Sequence, residues 1–519
     1  MMPPSSDDEP ASALRRRLVD ALSRGRPGTT PPRVSREHSL PPERRADGIV
    51  VQRVMLAPEP GDGREHAVPV VLVHRRCDEE DRSRPRPVVA FLHGTGGDTE
   101  GLLDTHLVPL AERGYVAVGV DAPCHGRRLD PEKPARDTTK SAAEKTTKSA
   151  AAAAAAAAGR HRALVRPRAE TFERYGAALV AACRGASDAS DTSDSERRPN
   201  VARTSKPDAG GYSGASRPFL FDGAWDVLRA LRFVRRWSAA SSSSDDVTRD
   251  SPEDDSTRGS EDDEEFRVRL PPTDPGRFAV TGISLGGMHS WLAAAAAPEV
   301  VTGGCAPMIG AQDFGWALEN DLHAARVASL PPALFEEAER VMRETEEVTS
   351  AREREAEDPG GDGVVSATRR AGGEKRPIRE NAAKVVSAET ARFAYSRIAP
   401  GLADALDGPR TMPLIAPRPL LLLNGEIDPR CPLGGLERVV RATRAAYDEA
   451  EGGGGDGEGD RAAAASAFRA FARVGAAHEC GEEMLATLAS WLDATLDPGD
   501  DGGARRTFRL ADERGWREL

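Results

Sequence analysis

The stretch that decides the fold runs from Phe278 to Ala297 and reads FAVT, GISLGG and MHSWLAAAAA in turn. Its first part predicts a buried strand and its last part a helix. Between them stands G-x-S-x-G, in which Gly282 and Gly286 lie two positions on either side of Ser284. A serine on a tight strand-to-helix turn needs such small neighbours, because the chain folds sharply around it. The pattern therefore predicts that Ser284 is a nucleophile raised above the end of a strand.

The composition indicates one domain interrupted by polar segments. The chain has 519 residues, of which only 5% are aromatic, whereas its length alone suggests about three domains. Of the aromatic residues, only Tyr212, Phe508 and Trp516 lie in the low-complexity stretches. These stretches are 1–45, 130–160, 184–216, 238–265, 346–378, 449–463 and 497–519. We therefore expect a single domain over 46–496 with five disordered insertions, after a disordered segment 1–45 and before a C-terminal tail 497–519.

Charge and cysteine content exclude several function classes. Most of the net charge of −12 falls in the insertion 238–265, and the rest of the chain is nearly neutral. A nucleic-acid partner is therefore not indicated. The six cysteines include no C-x-x-C pair, so we expect neither a metal site nor a disulfide framework. Reduced thiols are typical of a cytoplasmic protein, which is the localisation we expect, although targeting to an organelle stays open. Apolar runs are too short for a membrane span.

Strand and helix patterns alternate along the domain. The predicted strands are Ile49–Leu56, Val68–His74, Val88–Leu92, Tyr115–Val120, Phe278–Thr281, Val300–Met308, Pro419–Leu423 and Phe468–Val474. The predicted helices are Leu103–Arg113, Ala224–Trp237, Ala383–Ile398, Leu436–Tyr447 and Glu482–Leu492. Alternation of this kind predicts an α/β fold with a mostly parallel, doubly wound sheet of about eight strands. The first two strands follow each other without a helix, which predicts an antiparallel edge.

A glycine-rich loop, His93–Gly97, follows the apolar run Val88–Leu92 directly. Glycines let the main chain approach a ligand closely and point its N–H groups at it. We expect the N–H groups of Thr95 and Leu285 to form an oxyanion hole, with Gly96 as an alternative to Thr95. Gly94 and Gly96 are predicted to contact substrate. His93 is expected to orient the loop through hydrogen bonds rather than to act as a base.

A serine nucleophile needs a general base, and only three histidines follow Ser284 in the chain. His289 lies one turn into the helix after the serine, too close to reach back to its hydroxyl. His323 lies in a helical stretch before any plausible acid. His478 lies in a loop between the last predicted strand and the last helix, where the base of such an enzyme belongs. We therefore predict that His478 is the base.

The acid that orients this base should follow the preceding strand. Pro419–Leu423 leads into Asn424-Gly425-Glu426-Ile427-Asp428. Both Glu426 and Asp428 qualify. We prefer Asp428, because it lies further beyond the strand, where the loop can turn towards His478. Its expected role is to fix the imidazole tautomer and to stabilise the imidazolium.

These motifs together resemble the α/β-hydrolase family, and most closely its dienelactone-hydrolase and prolyl-oligopeptidase-like branch. More narrowly, GISLGGMHSW, IAPRPLLLLNG and DPRCPLGGLE look like a group of plant and algal α/β hydrolases without assigned substrates. The resemblance covers the domain but not the insertions. It implies the roles already given to Ser284, Asp428 and His478. It also implies that the run Asp121–Gly126 shapes the mouth of the pocket.

The resemblance further implies a small helical cap over about 309–400, in which Phe314 and Trp316 would line the substrate pocket. Core packing is an equally good interpretation of these two rings. One departure matters, because dienelactone hydrolases carry cysteine at the position of Ser284. Dienelactone specificity is therefore not expected.

The reaction expected from these residues is hydrolysis of a small-molecule carboxylic ester through an acyl-enzyme, without a metal or organic cofactor. Two alternatives stay open. One is a serine peptidase acting on short peptides. The other is a ligand-binding, receptor-like α/β-hydrolase with little turnover.

Overall fold

A computed structural model shows an α/β molecule built on one ten-stranded sheet. The structure describes residues 9–24, 26, 32–35, 39–60, 62–63, 66–76, 84–129, 168–185, 219–242, 270–357, 385–452, 467–496 and 507–519. The strands are β1 (Leu40–Arg44), β2 (Ile49–Leu56), β3 (Val68–Arg75), β4 (Arg86–Leu92), β5 (Val116–Val120), β6 (Thr273–Ile283), β7 (Gly304–Met308), β8 (Leu420–Gly425), β9 (Phe468–Arg473) and β10 (Trp516–Glu518). The predicted eight are thus present, and β1 and β10 extend the sheet at its two edges.

The sheet is parallel in its centre and antiparallel at both edges. Its order is β1-β2-β3-β5-β4-β6-β7-β8-β9-β10. The run β5-β4-β6-β7-β8-β9 is parallel throughout. The strands β2 and β3 pair antiparallel, as predicted, and β3 is antiparallel to β5 as well. This order is that of the α/β-hydrolase fold, so the predicted fold class is confirmed.

Helices cover both faces of the sheet. They are α1 (Ala11–Ser23), α2 (Thr99–Leu102), α3 (Val108–Glu112), α4 (Arg168–Gly185), α5 (Phe221–Ser242), α6 (Leu285–Ala296), α7 (Phe314–Glu319), α8 (Ala324–Val327), α9 (Pro332–Glu357), α10 (Ala388–Ile398), α11 (Gly408–Thr411), α12 (Leu433–Gly452) and α13 (Glu482–Leu496). A π-helical turn, Leu103–Leu107, joins α2 to α3. The predicted helix Leu103–Arg113 is therefore not one continuous α-helix.

The two sides of the sheet bury separate apolar clusters, because side chains alternate along each strand. Along β4, Val88, Ala90 and Leu92 face one cluster, which also holds α1, α5 and α6. Val89 and Phe91 face the other cluster, which holds α3 and α13. Both faces of the central strands are buried, which explains why their sequences are continuous apolar runs.

The predicted cap segment, 309–400, contains α7, α8, α9 and α10, all between β7 and β8. Helix α4 packs against α9 and α10 from another part of the chain. Arg184 of α4 donates two hydrogen bonds to the Glu337 carboxylate of α9, at 2.6 and 3.1 Å. The cap helices thus form a packed group in which α4 takes part.

The expectation that 1–45 is disordered is wrong for α1 and β1. Leu14, Leu18 and Leu22 recur every fourth residue, lie on one side of α1 and are buried in the main core. The Arg15 guanidinium donates to the Ala295 carbonyl at the end of α6, at 3.1 Å. This stripe of leucines gives the segment an apolar face to bury, which its overall composition conceals.

The expectation that 497–519 is a tail outside the domain is also wrong. The strand β10 pairs antiparallel with β9, and Trp516 is only 8% exposed. The rings of Phe508 and Trp516 lie 6.2 and 6.5 Å from that of Phe471. The last residues therefore close one edge of the sheet.

Several insertions begin later than predicted, because the preceding helices continue into them. Helix α5 continues to Ser242, α9 to Glu357 and α12 to Gly452. The rest of each predicted insertion lies almost entirely outside the described residues. That includes the whole of 130–160.

Candidate active site

Ser284 lies on the turn between β6 and α6, in a strained conformation with φ 55° and ψ −109°. Its N–H donates to the Met308 carbonyl at 2.9 Å. The turn requires glycine on both sides. A Cβ on Gly282 would lie 2.6 Å from the carbonyl carbon of Gly286, and one on Gly286 would lie 2.3 Å from the Leu92 oxygen. The predicted nucleophile elbow is therefore present in the structure.

The three residues predicted as nucleophile, base and acid form one continuous hydrogen-bonded series. Ser284 Oγ lies 2.8 Å from His478 Nε2, and His478 Nδ1 lies 2.7 Å from Asp428 Oδ2. Since an ionised carboxylate only accepts, Nδ1 carries the proton and Nε2 is free to accept from the serine. The other carboxylate oxygen, Oδ1, accepts from the N–H groups of Arg430 and Cys431, at 2.8 and 3.2 Å.

Burial and hydrogen bonding set the charge states of this series. Burial favours a raised pKa for Asp428, but hydrogen bonds from His478 and from the two amides outweigh it and hold this pKa below its ordinary value. Burial also lowers the pKa of His478, and the neighbouring carboxylate offsets this only in part. The imidazole is therefore neutral at pH 7 and able to take a proton from Ser284.

Neighbouring parallel strands bring the acid and base loops together. Residues Leu420–Gly425 of β8 pair in register with Phe468–Arg473 of β9. Beyond the strands, the Ile427 N–H donates to the Ala476 carbonyl at 3.0 Å. A Cβ on Gly425 would lie 2.1 Å from the Ala477 oxygen, so only glycine allows the two loops to run this close. The Asp428–His478 contact thus follows from the register of the sheet.

The alternatives to the base and acid lie elsewhere. His289 is buried, with Nε2 3.3 Å from the Phe219 carbonyl oxygen. His323 Nε2 lies 3.1 Å from the Val386 carbonyl oxygen. Glu426 accepts from the Gly475 N–H at 3.1 Å instead of contacting His478. Of the candidates weighed from the sequence, the structure thus brings only His478 and Asp428 to Ser284.

The predicted oxyanion loop lies against the elbow, since a Cβ on Gly94 would lie 3.7 Å from that of Ser284. The Gly96 N–H donates to His125 Nε2 at 3.1 Å and is therefore engaged. Among the described residues, the N–H groups of Thr95 and Leu285 donate to no protein acceptor. These two amides are the ones that remain available for an oxyanion.

Two histidines hold this loop, one of which the sequence analysis did not single out. His93 Nδ1 lies 2.9 Å from the Gly94 oxygen, and its Nε2 accepts from the Ala122 N–H at 3.0 Å. This confirms that His93 orients the loop. His125 accepts from Gly96 and lies with Nδ1 2.7 Å from the Pro123 oxygen. In the sequence, His125 belongs to the D-x-P-x-H-G run Asp121–Gly126 after β5, and this motif is the local pattern that could have pointed to it.

The two predicted pocket aromatics contact other parts of the molecule. Phe314 is 2% exposed, and its ring packs edge-on against that of Tyr395, 5.6 Å away. Trp316 covers the start of α12, where a Cβ on Gly434 would lie 2.7 Å from its ring. The contacts of both rings are those of packing residues in the cap.

Within the described part of the chain, one group of residues of metal-ligand type occurs, and it lies at this site. Ligand atoms of Asp428, Cys431 and His478 all lie within 4.8 Å of one another. Burial raises the pKa of the Cys431 thiol to about 12, which keeps the thiol protonated in the free protein. Asp428 accepts hydrogen bonds from His478 Nδ1 and from the Cys431 N–H, and these contacts bring the three residues together.

No protein-family profile and no curated protein sequence matches this chain. Among solved structures it is similar to acetyl xylan esterase 1 from Thermoanaerobacterium sp., with 10% identity, coverage of 94% of this chain and 93% of that chain, and a TM-score of 0.38. It is also similar to an acetyl xylan esterase from Paenibacillus sp. R4, with 13% identity, coverage of 95% and 100%, and a TM-score of 0.39. A glucuronoyl esterase from Solibacter usitatus gives 11% identity, coverage of 93% and 91%, and a TM-score of 0.41.

At these identities and scores the likenesses do not bear on the activity of this chain. The fold assignment rests on its own strand order, and the site on its own geometry. The resemblance to plant and algal hydrolases finds no support in these matches. Within the described segments, none of the helices combines the length and the apolar character that crossing a membrane requires.

Proposed function

We propose that this protein is a serine hydrolase that cleaves a small-molecule carboxylic ester through an acyl-enzyme. The observation that carries the proposal is the hydrogen-bonded series from Ser284 through His478 to Asp428, with 2.8 and 2.7 Å contacts. A base placed between a serine hydroxyl and a buried carboxylate is the arrangement that activates serine for attack on a carbonyl carbon. The Leu285 amide follows Ser284 directly in the chain, and the Thr95 amide belongs to the loop that lies against the elbow.

In the acylation step, His478 Nε2 takes the hydroxyl proton while Ser284 Oγ bonds to the carbonyl carbon. The electron pair of the carbonyl double bond moves to its oxygen, which the N–H groups of Leu285 and Thr95 stabilise. Asp428 stabilises the imidazolium without taking its proton. The tetrahedral intermediate then expels the alcohol, which leaves with the proton from His478. Water repeats the sequence on the acyl-enzyme and releases the acid.

The test is covalent labelling of the pure protein by a fluorophosphonate, together with hydrolysis of p-nitrophenyl acetate. Ser284→Ala should abolish labelling and lower the rate by at least about 10³-fold. Ser396→Ala is the matched control, because its hydroxyl donates to the Phe393 carbonyl on an exposed helix face. It should behave as the wild type. Undiminished labelling of Ser284→Ala would overturn the proposal.

The same protein distinguishes the alternative activities. Faster hydrolysis of aminoacyl p-nitroanilides than of p-nitrophenyl esters would identify a peptidase. Tight ligand binding with negligible turnover of either substrate would identify a receptor-like protein.

A further inference from the structure

Arg326, on α8, is a buried cation without a counter-charge. It is 5% exposed, and among the described residues no carboxylate lies within ion-pair distance of its guanidinium. Its Nη2 donates to the Arg430 carbonyl at 3.2 Å and contacts Cys431 Sγ at 3.4 Å, while Nε is buried with no partner. Buried arginines are normally paired with an anion. The guanidinium therefore has unused capacity for a negatively charged group.

Two buried phenols share this region. Tyr175 of α4 is 0% exposed and Tyr395 of α10 is 1% exposed, and within the described part of the chain neither hydroxyl has a hydrogen-bond partner. Burial raises the pKa of both, and the positive charge of Arg326 acts against this rise in each case. Both hydroxyls are thus protonated and lie within the field of Arg326. Buried polar groups are rarely left unsatisfied, so a partner for each hydroxyl is expected.

The cluster formed by Arg326, Tyr175 and Tyr395 lies beside the catalytic series. Cys431 Sγ, which Arg326 contacts, is within 4.8 Å of ligand atoms of His478 and Asp428. On the other side, the Tyr175 ring lies 5.0 Å from that of His125, which holds the oxyanion loop through Gly96. Arg326 therefore borders the acid loop, and Tyr175 borders the histidine that holds the oxyanion loop.

We propose that Arg326, Tyr175 and Tyr395 form a binding site for a carboxylate carried by the ester that Ser284 attacks. The guanidinium can only donate and both hydroxyls are able to donate, so an acceptor can serve all three. A carboxylate supplies two acceptor oxygens and the charge that the guanidinium lacks, and its planar shape fits the arginine fork. Water would satisfy the hydroxyls but leave the charge unpaired. This inference rests on the proposed esterase function, and it names the substrate class.

The first experiment compares two p-nitrophenyl esters of the same shape. One is the hemisuccinate, which carries the carboxylate on its acyl side, and the other is the 4-methylpentanoate, in which an isopropyl group replaces it. The wild type should prefer the hemisuccinate in kcat/KM by about 10- to 100-fold, as expected for a charge-assisted hydrogen-bonded pair. Most of the difference should appear in KM. The proposal is overturned if kcat/KM is equal for these two esters and also equal for the second pair of esters, which carry the carboxylate on the alcohol side.

Substitutions show which side chains cause the preference for the hemisuccinate. Arg326→Met should bring the ratio of the two kcat/KM values close to one, and Arg326→Lys should restore part of it. Arg392→Met removes a charge from an exposed position on α10, where the guanidinium pairs with Asp404, and should keep the wild-type ratio. Tyr395→Phe retains the ring contact with Phe314 and should lower the ratio by a smaller factor. A loss shared equally by both esters in Arg326→Met would mean a structural role and overturn the proposal.

A second comparison places the carboxylate on the alcohol side, with 4-carboxyphenyl acetate against 4-carbamoylphenyl acetate. A preference for the charged ester in either comparison supports the site and shows which half of the substrate it holds. If no ester is hydrolysed, the esterase proposal fails and the carboxylate site is tested alone. Calorimetric titration of Ser284→Ala should then show monomethyl succinate binding at least 10-fold more tightly than methyl 4-methylpentanoate. This difference should be lost in the Ser284→Ala, Arg326→Met double variant, and equal binding of both esters would overturn the site.

Discussion

Replacing Asp428 by asparagine tests the catalytic series most directly, because the change is nearly isosteric. The Oδ1 side can keep its hydrogen bonds from the N–H groups of Arg430 and Cys431, so the loop should keep its shape. The Oδ2 side, 2.7 Å from His478 Nδ1, becomes an N–H₂ group that cannot accept. The imidazole must then present Nδ1 as an acceptor and carry its proton on Nε2, facing the Ser284 hydroxyl. In that tautomer it cannot take the serine proton.

The expected loss in kcat is about 10⁴-fold, the size seen when a serine hydrolase base is held in the wrong tautomer. At about 1.4 kcal/mol per tenfold, this corresponds to roughly 5.5 kcal/mol of transition-state stabilisation. The assay is steady-state hydrolysis of p-nitrophenyl acetate, with thermal unfolding measured in parallel to show that the variant is folded.

Glu426→Gln is the matched control, because it makes the same chemical change two residues away. Glu426 accepts from the Gly475 N–H and lies 3.8 Å from the Arg517 guanidinium, away from the base. Its activity should stay within about threefold of the wild type, a change of less than 1 kcal/mol. A folded Asp428→Asn variant with less than tenfold loss would refute this reasoning, and so would a larger loss in Glu426→Gln.

Three further predictions follow from the geometry. Gly286→Ala places a Cβ 2.3 Å from the Leu92 main-chain oxygen of β4, so it should abolish activity and lower the melting temperature. In the control Gly276→Ala, the Cβ meets only a side-chain oxygen at 3.3 Å, so activity and melting temperature should both stay unchanged. Because the pKa of His478 is lowered and the base must be neutral, kcat/KM should fall as the pH is lowered, with a midpoint below pH 6.5. A midpoint above 6.5 in the pH profile would contradict the lowered pKa. Because α1 packs on the core, Leu18→Ala should reduce the free energy of unfolding by about 2–5 kcal/mol, measured by urea denaturation. The control Arg17→Ala removes an exposed side chain of the same helix and should change this free energy by less than about 0.5 kcal/mol.

The sequence predicts those parts of the site that depend on short contiguous motifs or on the order of elements along the chain. The G-x-S-x-G turn around Ser284 is contiguous, and the order of strands along the chain leaves His478 as the one histidine after the last long strand. The same order limits the acid to Glu426 or Asp428, and the greater distance of Asp428 from the strand end favours it. The choice of Thr95 over Gly96 as donor could not be made in this way, because it depends on His125, which a different loop brings to the Gly96 amide.

Other features depend on contacts between distant segments, which no local pattern records. The cluster of Arg326 with Tyr175 and Tyr395 joins three helices from separate parts of the chain. The edge strand β10 has only three residues, too few for a periodic pattern to be visible. Helix α1 did carry a signal in its leucines every fourth residue. The proline- and arginine-rich composition of the surrounding segment conceals that signal.

The pairing of β8 with β9 has a consequence for how such a site can change over time. The imidazole of His478 and the carboxylate of Asp428 lie on loops that follow two adjacent strands, and the register of that one pair brings them together. The nucleophile belongs to β6, with β7 in between. The proposed proton acceptor and the proposed nucleophile thus come from separate parts of the sheet, and a 2.8 Å contact between Ser284 and His478 joins them directly. Exchanging oxygen for sulfur at residue 284 would leave the proposed proton acceptor intact, so a lineage can acquire thiol chemistry by altering a single codon.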